Sequence, residues 1–485
     1  MKEWTRAESY RALTDPEELR APHARVRQSR YRQTYHVQPV TGLLNDPNGF
    51  ARHGGAWQLC YQWCPWGAVH GLKYWYRVAS SDLVHWHNAG IALAPDRDFD
   101  NRGVYSGSAI GDGEDLVYFY TGNHRDEDWT RTAYTCAAVL RADGRVEKPD
   151  APLFGPHPDY SEHQRDPKIV YRPEDRAYYI LIGARTRDDR GRVLVYRSDL
   201  PRSGWRFAGE LNVPGLENFG SMWECPCLAR VDGKDVLIFC PQDVRLPGRA
   251  ENTNHNVYLI GRMDFGTLTF TPEGECRPLD YGFDFYAAQT AAGAEDPDPA
   301  VLIGWIGLPG AHYPTDDEDW VGSLTLPRAL RVRDGRLLQT PIPAMYALRG
   351  PQQPDDGTLP AACEMEVDAP EGDFALNLFT RDDGSGGLRL QWRGDRRALR
   401  VDKRAMDLRF NAELGETLEM PLESPPRKLD IFIDHSSIEI FANDGEAVFT
   451  AHVYPTARER RYQAGAGVRI RLWPLRGAVE DDFVI

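Results

Sequence analysis

Five short runs of apolar, strand-forming residues recur along the first two thirds of the chain, roughly sixty residues apart. They occupy residues 57–62, 116–120, 178–182, 235–239 and 300–305. Each run is rich in Val, Ile, Leu, Tyr, Phe or Trp and lies between turn residues, which is typical of β-strands. The spacing favours the blades of a β-propeller, a fold that closes radially and gathers turn-borne residues around a central mouth. A large β-sandwich also fits the local pattern.

A second domain is predicted from the length of 485 residues and from a change of pattern after residue 341. Proline and glycine cluster at 341–343 and 350–357, and apolar and polar positions alternate beyond them, as in sheets with one buried face. We therefore predict an all-β protein with a propeller and a C-terminal β-sandwich. Its segments are a partly helical lead-in at 1–30, the propeller at 31–342, a linker at 343–360 and the sandwich at 361–485.

Three carboxylates sit in turn-like segments between strand-like ones. Asp46 lies in Asn-Asp-Pro-Asn-Gly at 45–49, Asp166 in Arg-Asp-Pro-Lys at 165–168, and Glu224 in Trp-Glu-Cys-Pro at 223–226. A nearby proline fixes φ and helps to hold each acid in one orientation. Retaining cleavage of a glycosidic bond needs a carboxylate nucleophile and a carboxylic acid about 5–5.5 Å away. The chain offers two such acids and a third.

Each acid taken alone has a simpler explanation. Asn, Asp, Pro and Gly all favour turns, so the segment around Asp46 fits a turn as well as a site. Arg165 and Asp166 fit an exposed ion pair, which contributes little. Glu224 is harder to explain in this way because it is a lone acid in an apolar stretch. Burial there is expected to raise its pKa, as a general acid requires.

Charge and composition exclude several classes of partner. The formal net charge of -15 disfavours nucleic acids and anionic membranes, which bind clustered Lys and Arg, although a local basic pocket could still take a small anion. The charged amino terminus lacks the apolar core of a secretory signal, and no run of eighteen apolar residues appears. We therefore expect a cytoplasmic protein that binds neither nucleic acid nor membrane.

Eight cysteines lie mostly inside apolar runs and are expected to be reduced and buried. The pairs Cys60/Cys64 and Cys225/Cys227 could indicate a metal site, but no second ligand pair with zinc spacing accompanies them. Structural thiols are therefore favoured, and we expect no metal and no cofactor. The sequence leaves the oligomeric state open.

Taken together, in this order and spacing, the three acidic segments resemble glycoside hydrolase family 32, the β-fructofuranosidase family. The resemblance covers nearly the whole chain and implies a five-bladed propeller followed by a β-sandwich, with the site in the propeller funnel. Further matching segments are 61–63, 80–86, 105–109, 120–123, 279–289 and 434–441.

The resemblance also implies a role for each acid. Asp46 corresponds to the nucleophile that attacks the fructosyl anomeric carbon, and Glu224 to the acid that later acts as base. Asp166 corresponds to the residue that hydrogen-bonds the fructose 3- and 4-hydroxyls and stabilises the transition state. The other candidate sugar contacts, or residues that orient the carboxylates, are Asn45, Gln62, Trp75, Tyr105, Ser106 and Arg165.

Within the family, segments 65–73, 123–131 and 313–317 resemble the intracellular sucrose-6-phosphate hydrolases more than the secreted enzymes. This implies hydrolysis of sucrose 6-phosphate, sucrose or both by double displacement. Binding a phosphate needs Arg, Lys or backbone N–H groups. The candidates are Lys73, Arg77, Arg125 and Arg131, although Arg125 and Arg131 flank acidic residues and could equally form surface ion pairs.

Some residues depart from the family pattern near the substrate mouth. Leu43 and Leu44 stand where many members carry Trp-Met or Trp-Ile, and His70 stands where Trp is common. These changes bear on specificity. Two other functions stay open: exo-acting hydrolysis of fructans and, from a different class, non-catalytic fructan binding. The presence of all three acids disfavours the second.

Overall fold

The computed structural model describes residues 2–249, 252–292 and 299–485. A partly helical segment precedes the first strand and contains α1 (Arg6–Ser9), a 3₁₀ helix (Pro16–Leu19) and α2 (Arg20–Val26). Thr5 caps α1, because its hydroxyl accepts from the Glu8 N–H while the Glu8 carboxylate accepts from the Thr5 N–H. Within the described ranges, no helix is long and apolar enough to cross a membrane.

Five sheets of four or five strands follow one another along the chain. The first three sheets are built from β1 (Gly42–His53), β2 (Ala56–Cys64), β3 (Tyr74–Ser80), β4 (Trp86–Leu93), β5 (Val104–Asp112), β6 (Asp115–Arg125), β7 (Arg131–Leu140), β8 (Val146–Glu147), β9 (Tyr160–Arg172), β10 (Ala177–Thr186), β11 (Gly191–Ser198) and β12 (Arg206–Glu210). The last two are built from β13 (Met222–Val231), β14 (Lys234–Gln242), β15 (Val257–Asp264), β16 (Thr269–Pro272), β17 (Arg277–Pro278), β18 (Tyr286–Thr290), β19 (Val301–Ile306), β21 (Ser323–Leu324), β22 (Arg328–Arg333) and β23 (Arg336–Pro341), whereas β20 (Trp320–Val321) belongs to the first sheet.

The five sheets form a closed ring. Their innermost strands β1, β5, β9, β13 and β18 each contact the next, and β18 returns to β1. The short strand β20, which lies between β19 and β21 in the chain, pairs in parallel with β1 as an edge strand of the first sheet. The five apolar runs of the sequence fall on β2, β6, β10, β14 and β19, the second strand of each sheet, and blades pack against both of their faces. The predicted five-bladed propeller is thereby confirmed.

The C-terminal domain consists of two five-stranded sheets packed face to face over one apolar core. The 3₁₀ helix Pro343–Leu348 joins it to the propeller. After the last strand, residues 475–485 run back along the first blade, where the Tyr76 hydroxyl donates to the Val484 carbonyl (2.5 Å). The strands are β24 (Ala362–Asp368), β25 (Phe374–Thr380), β26 (Gly387–Arg393), β27 (Ala398–Ala405), β28 (Thr417–Pro421), β29 (Lys428–Asp434), β30 (Ser437–Ala442), β31 (Ala447–His452), β32 (Arg461–Ala464) and β33 (Arg469–Pro474).

A buried ionic network joins the two domains. Arg328 of β22 contacts Asp280 (3.0 Å) and Glu439 of β30 (2.5 Å). Glu439 also contacts His36, whose other ring nitrogen contacts Asp434 (both 3.0 Å). All five side chains are fully buried. Burial opposes the charge of His36, but the two carboxylates outweigh it and raise its pKa to about 9.

Replacing Arg328 with methionine is expected to lower the free energy of unfolding by about 3–5 kcal/mol. The change leaves Asp280 and Glu439 buried without the cation that both contact. Thermal unfolding and urea denaturation measure the loss. The control Arg396→Met removes a guanidinium that is 58% exposed and paired with Glu419 on the surface, and should change stability by less than about 1 kcal/mol. Equal stability of the two variants would contradict the role of the network.

Candidate active site

Each innermost strand carries at least one irregularity in its pairing with the second strand of its blade. The register between the innermost strand and its neighbour shifts within residues 44–47 of β1, 105–107 of β5, 165–168 of β9, 224–227 of β13 and 286–289 of β18. Bulges of this kind re-aim side chains, and they are common beside active sites. Asp166 (φ 67°) and Cys225 (φ 48°) also adopt the left-handed region that side chains disfavour. The five bulges turn one set of polar side chains into the funnel.

Asp46 is held by three neutral donors. Its Oδ1 accepts from Asn45 (3.0 Å), and its Oδ2 accepts from Gln62 (3.1 Å) and from the Ser106 hydroxyl (2.5 Å). Gln62 donates to Ser106 as well, so the three side chains around Oδ2 are mutually fixed. Burial raises the pKa of Asp46 although these hydrogen bonds oppose the rise. The arrangement holds one carboxylate in a single orientation, and no cation among the described residues bonds it directly.

Glu224 has a different environment. Its Oε1 accepts two hydrogen bonds from Arg165 (2.6 and 3.0 Å), and its Oε2 accepts from the Tyr286 hydroxyl (2.6 Å) and from Gln242 (2.7 Å). The expectation that burial raises the pKa of Glu224 is wrong for the unliganded protein. Burial does oppose the charge, but Arg165 and the hydrogen bonds from Tyr286 and Gln242 outweigh it and lower the pKa.

Asp166 is the third carboxylate, and it is 5% exposed rather than part of a surface ion pair. Its Oδ2 accepts from the backbone N–H of Cys225 (3.0 Å), and its own N–H donates to Thr121 (2.8 Å). Burial and the charges of Glu224 and Asp46 outweigh the nearby Arg165 and raise the pKa of Asp166 to about 7. The two neighbouring carboxyl groups therefore differ in direction, because the pKa of Asp166 is raised and that of Glu224 is lowered.

The other predicted residues differ in how they contact the carboxylates and their neighbours. Lys73 is buried and donates to the Asn45 side chain (2.7 Å), so it orients the amide that donates to Asp46. Burial lowers the pKa of Lys73 to about 8. Trp75 is also fully buried, and its indole N–H donates to the Tyr105 carbonyl (3.1 Å), so it fixes the backbone of β5 beside Ser106. Tyr105 is half-buried next to Ser106.

The four candidate phosphate contacts separate into different regions. Arg77 lies in another cavity, 3.5 Å from the Gln58 side chain and lined also by Arg97 and Lys148. Arg125 and Arg131 face each other across the start of the β6–β7 hairpin. Arg131 lies over the Tyr105 ring (5.5 Å), and the charges of Arg165 and Asp166 affect its pKa. Arg131 is therefore at the funnel, and Arg77 is not.

Sequence reasoning missed three residues, two that donate to the Glu224 carboxylate and one that accepts from the backbone of Asp166. Tyr286 begins β18 and lies in a segment that matched the family, so that match could have pointed to it. Gln242 ends β14 and reaches Glu224 only because of how β13 pairs with β14. Thr121 supports the backbone of Asp166 from the neighbouring blade. The sequence gives no local signal for the last two.

Comparison with known proteins agrees with this architecture. Residues 36–341 match the model of the glycosyl hydrolases family 32 N-terminal domain, and residues 346–472 match that of the family 32 C-terminal domain. The chain belongs to glycosyl hydrolase family 32. It is therefore a glycoside hydrolase, and the family resemblance read from the sequence is confirmed.

Relatives in family 32 match over almost their whole length. The sucrose-6-phosphate hydrolase of Staphylococcus xylosus is 38% identical over 94% of each chain. The solved sucrose-6-phosphate hydrolase of Lactobacillus gasseri is 36% identical with a TM-score of 0.92, covering 98% of this chain and 100% of the other. A β-fructofuranosidase of Bombyx mori, solved as a mutant in complex with sucrose, is 28% identical with a TM-score of 0.83, covering 96% and 98%.

Proposed function

We propose that the protein is a retaining β-fructofuranosidase that hydrolyses sucrose 6-phosphate, and sucrose less efficiently, to release fructose. The observation that carries the proposal is the meeting of three carboxylates in one funnel, each with a different set of partners. Asp166 is buried, and Asp46 and Glu224 are half-buried. Double displacement needs one carboxylate as nucleophile and another group that can donate and then accept a proton. The names of the most similar relatives support the phosphorylated substrate.

Asp46 is the nucleophile in this proposal. Ser106, Gln62 and Asn45 fix its carboxylate, and no cation bonds it directly, so its electron pair stays available for the anomeric carbon of the fructosyl group. Glu224 protonates the leaving oxygen and later removes a proton from the attacking water. Tyr286 and Gln242 keep its Oε2 oriented through both steps.

Asp166 binds the fructose hydroxyls and stabilises positive charge in the transition state. It performs this role as an anion, so any proton that its raised pKa of about 7 retains near neutral pH must leave first. The negative charge that then forms beside Glu224 raises the pKa of Glu224. Substrate binding thereby moves the single proton of the pair to the residue that needs it.

The pH profile tests this transfer. We expect kcat/KM to fall as the pH rises through about 7, because the unliganded pair loses its proton there. In Asp166→Asn, Glu224 keeps Arg165 but loses a like-charged neighbour, so the alkaline limb of the residual activity should move to lower pH. An unchanged limb would contradict the shared proton. The exposed acid Asp395 supplies a control, since Asp395→Asn should keep the wild-type profile.

We also propose a cytoplasmic location. A phosphorylated sugar carries charge and does not cross a membrane unaided. All eight cysteines are free and seven of them are buried, which fits a reducing compartment.

Comparing kcat/KM for sucrose 6-phosphate and sucrose tests the proposed substrate. We expect at least about a tenfold preference for the phosphorylated sugar, which corresponds to one charge-assisted contact. A preference for sucrose would overturn the phosphate assignment and leave the fructosidase. Faster release of fructose from inulin-type oligomers than from either disaccharide would overturn both in favour of a fructan hydrolase.

A further inference from the structure

Three arginines of the second blade lie near one another: two of them lie over the Trp129 ring and the third lies over the Tyr105 ring. Arg125 ends β6, Arg131 begins β7, and the two are register partners across the hairpin. The backbone N–H of Arg102 donates to the Asn123 carbonyl of β6 (2.9 Å). The guanidinium carbons of Arg102 and Arg125 lie 5.5 and 5.2 Å from the centre of the Trp129 ring. We call Arg102, Arg125 and Arg131 the rim cluster.

The rim cluster has no anionic partner in the described parts of the chain. Arg102 donates to the Asn101 carbonyl (2.9 Å), Arg125 to the Trp129 carbonyl (2.6 Å) and Arg131 to the Asn123 side chain (2.8 Å), all of which are neutral. Each guanidinium also keeps one buried nitrogen without a hydrogen-bond partner: Nε of Arg102, Nε of Arg125 and Nη2 of Arg131.

The acidic residues beside the cluster do not neutralise it. Asp126 and Asp128 both turn back to accept from the N–H of Thr130, at 2.8 and 3.1 Å. Within the described residues, Arg125 and Arg131 bond neutral groups and do not form the surface ion pairs that the sequence allowed. A buried donor without a partner is costly, and like charges repel. Such a cluster is unexpected in a chain of net charge -15 unless an anion completes it.

Strand β6 connects the rim cluster to the carboxylates. Side chains two apart share one face of a strand, so Thr121, Asn123 and Arg125 point the same way. Thr121 contacts Asp166, and Asn123 contacts Arg131. At about 3.4 Å per residue, Asn123 lies about 7 Å and Arg125 about 14 Å up the strand from Thr121. A sugar bonded to the fructosyl group at Asp166 would extend along this face toward the cluster.

We infer that Arg102, Arg125 and Arg131 bind the 6-phosphate of the leaving sugar. The inference rests on the proposed function and assigns the substrate's anionic group to these residues. A phosphate dianion offers several acceptor oxygens, and planar guanidinium groups meet them in pairs, which matches the unpartnered donors. Trp129 gives the flexible arginines a rigid surface. The lead-in packs on the same ring, with Arg6 at 4.2 Å and Tyr10 at 5.2 Å.

The experiment compares kcat/KM for sucrose 6-phosphate and for sucrose in three variants. Arg125→Gln and Arg131→Gln each remove one guanidinium of the cluster. Arg145→Gln is the control, because it removes the same charge from the turn between β7 and β8, about 30 Å along β7 from Arg131. Arg145 is 72% exposed there and paired with Asp143. We expect each cluster variant to lower kcat/KM for sucrose 6-phosphate by at least about tenfold and for sucrose by less than about threefold. The control should keep both values.

The ratio of kcat/KM for sucrose 6-phosphate to kcat/KM for sucrose, compared between the wild type and the variants, distinguishes the phosphate-site inference from the proposed function. If the wild type prefers sucrose 6-phosphate but both cluster variants keep that preference, the phosphate lies elsewhere and the proposed function stands. An equal loss on both sugars also overturns the inference, because the arginines would then act on the fructosyl site.

Inhibition by glucose 6-phosphate provides a second test, which applies if the wild type hydrolyses sucrose 6-phosphate and sucrose equally well. Glucose 6-phosphate should inhibit sucrose hydrolysis more strongly than glucose, and the difference should disappear in Arg125→Gln and Arg131→Gln. If glucose 6-phosphate and glucose inhibit the wild type equally, the rim cluster is not a phosphate site. Correct folding of the variants is checked by their melting temperatures.

Discussion

Replacing Asp46 with asparagine is expected to lower kcat by about four orders of magnitude or more. The amide cannot form the covalent bond to the anomeric carbon, and no other carboxylate has the same set of orienting donors. Asparagine has nearly the same shape, and the neighbours that donate to Asp46 are side chains able to rearrange. Single-turnover and steady-state assays with sucrose 6-phosphate measure the loss.

Stability supplies the control for this variant. Asp46 is half-buried and its pKa is raised, so removing its charge should leave the melting temperature unchanged or slightly higher. A folded Asp46→Asn protein that keeps more than about 1% of the wild-type kcat would contradict the nucleophile assignment, because removing such a group alone costs far more.

Replacing Glu224 with glutamine is expected to lower kcat for sucrose 6-phosphate by about 10²–10⁴-fold. The amide cannot protonate the leaving oxygen. It also loses the charge that bonds Arg165, so Arg165→Lys provides a comparison that weakens the same contact and leaves the carboxyl group in place. Arg165→Lys should reduce activity less and move the pH profile, because the cation that lowers the pKa of Glu224 becomes less well placed.

A substrate with a better leaving group separates acid catalysis from other defects of Glu224→Gln. An aryl β-fructofuranoside needs little protonation as it leaves, so its first step should proceed in Glu224→Gln at close to the wild-type rate. The second step still needs the base, so a burst of phenol followed by slow turnover is expected. An equal loss on sucrose 6-phosphate and on the aryl substrate would show that Glu224 is not the acid.

Much of the fold could be predicted because each blade contains a short segment whose sequence alone indicates a buried strand. The second strand of every blade is buried on both faces and reads as a continuous apolar run, for example 178–182 on β10. The closure of the ring could not be predicted in this way. Strand β20 is two residues long and pairs with β1, which lies more than 250 residues earlier in the chain. The return of residues 475–485 to the first blade depends equally on contacts remote in sequence.

The site could be predicted in part for the same reason. Asp46 and Glu224 stand in distinctive local segments, whereas Asp166 looked like a surface residue until its neighbours were considered. The environment of each acid depends on other blades: Arg165 reaches Glu224 from β9, and Gln242 reaches it from β14. Burial alone predicted a raised pKa for Glu224, and the cation from the next blade reversed the direction. The type of each residue can be read from its own segment, but its pKa depends on charges and donors that other blades and strands supply.

Trapping the fructosyl-enzyme tests the central claim most directly. Glu224→Gln is mixed with an aryl β-fructofuranoside, quenched in acid during the burst, digested and analysed by mass spectrometry. The account predicts one added fructosyl unit on the peptide that contains residues 45–49, with fragmentation placing it on Asp46, and no adduct in the double variant Asp46→Asn/Glu224→Gln. An adduct on Asp166, or turnover with inversion and no adduct, would contradict it.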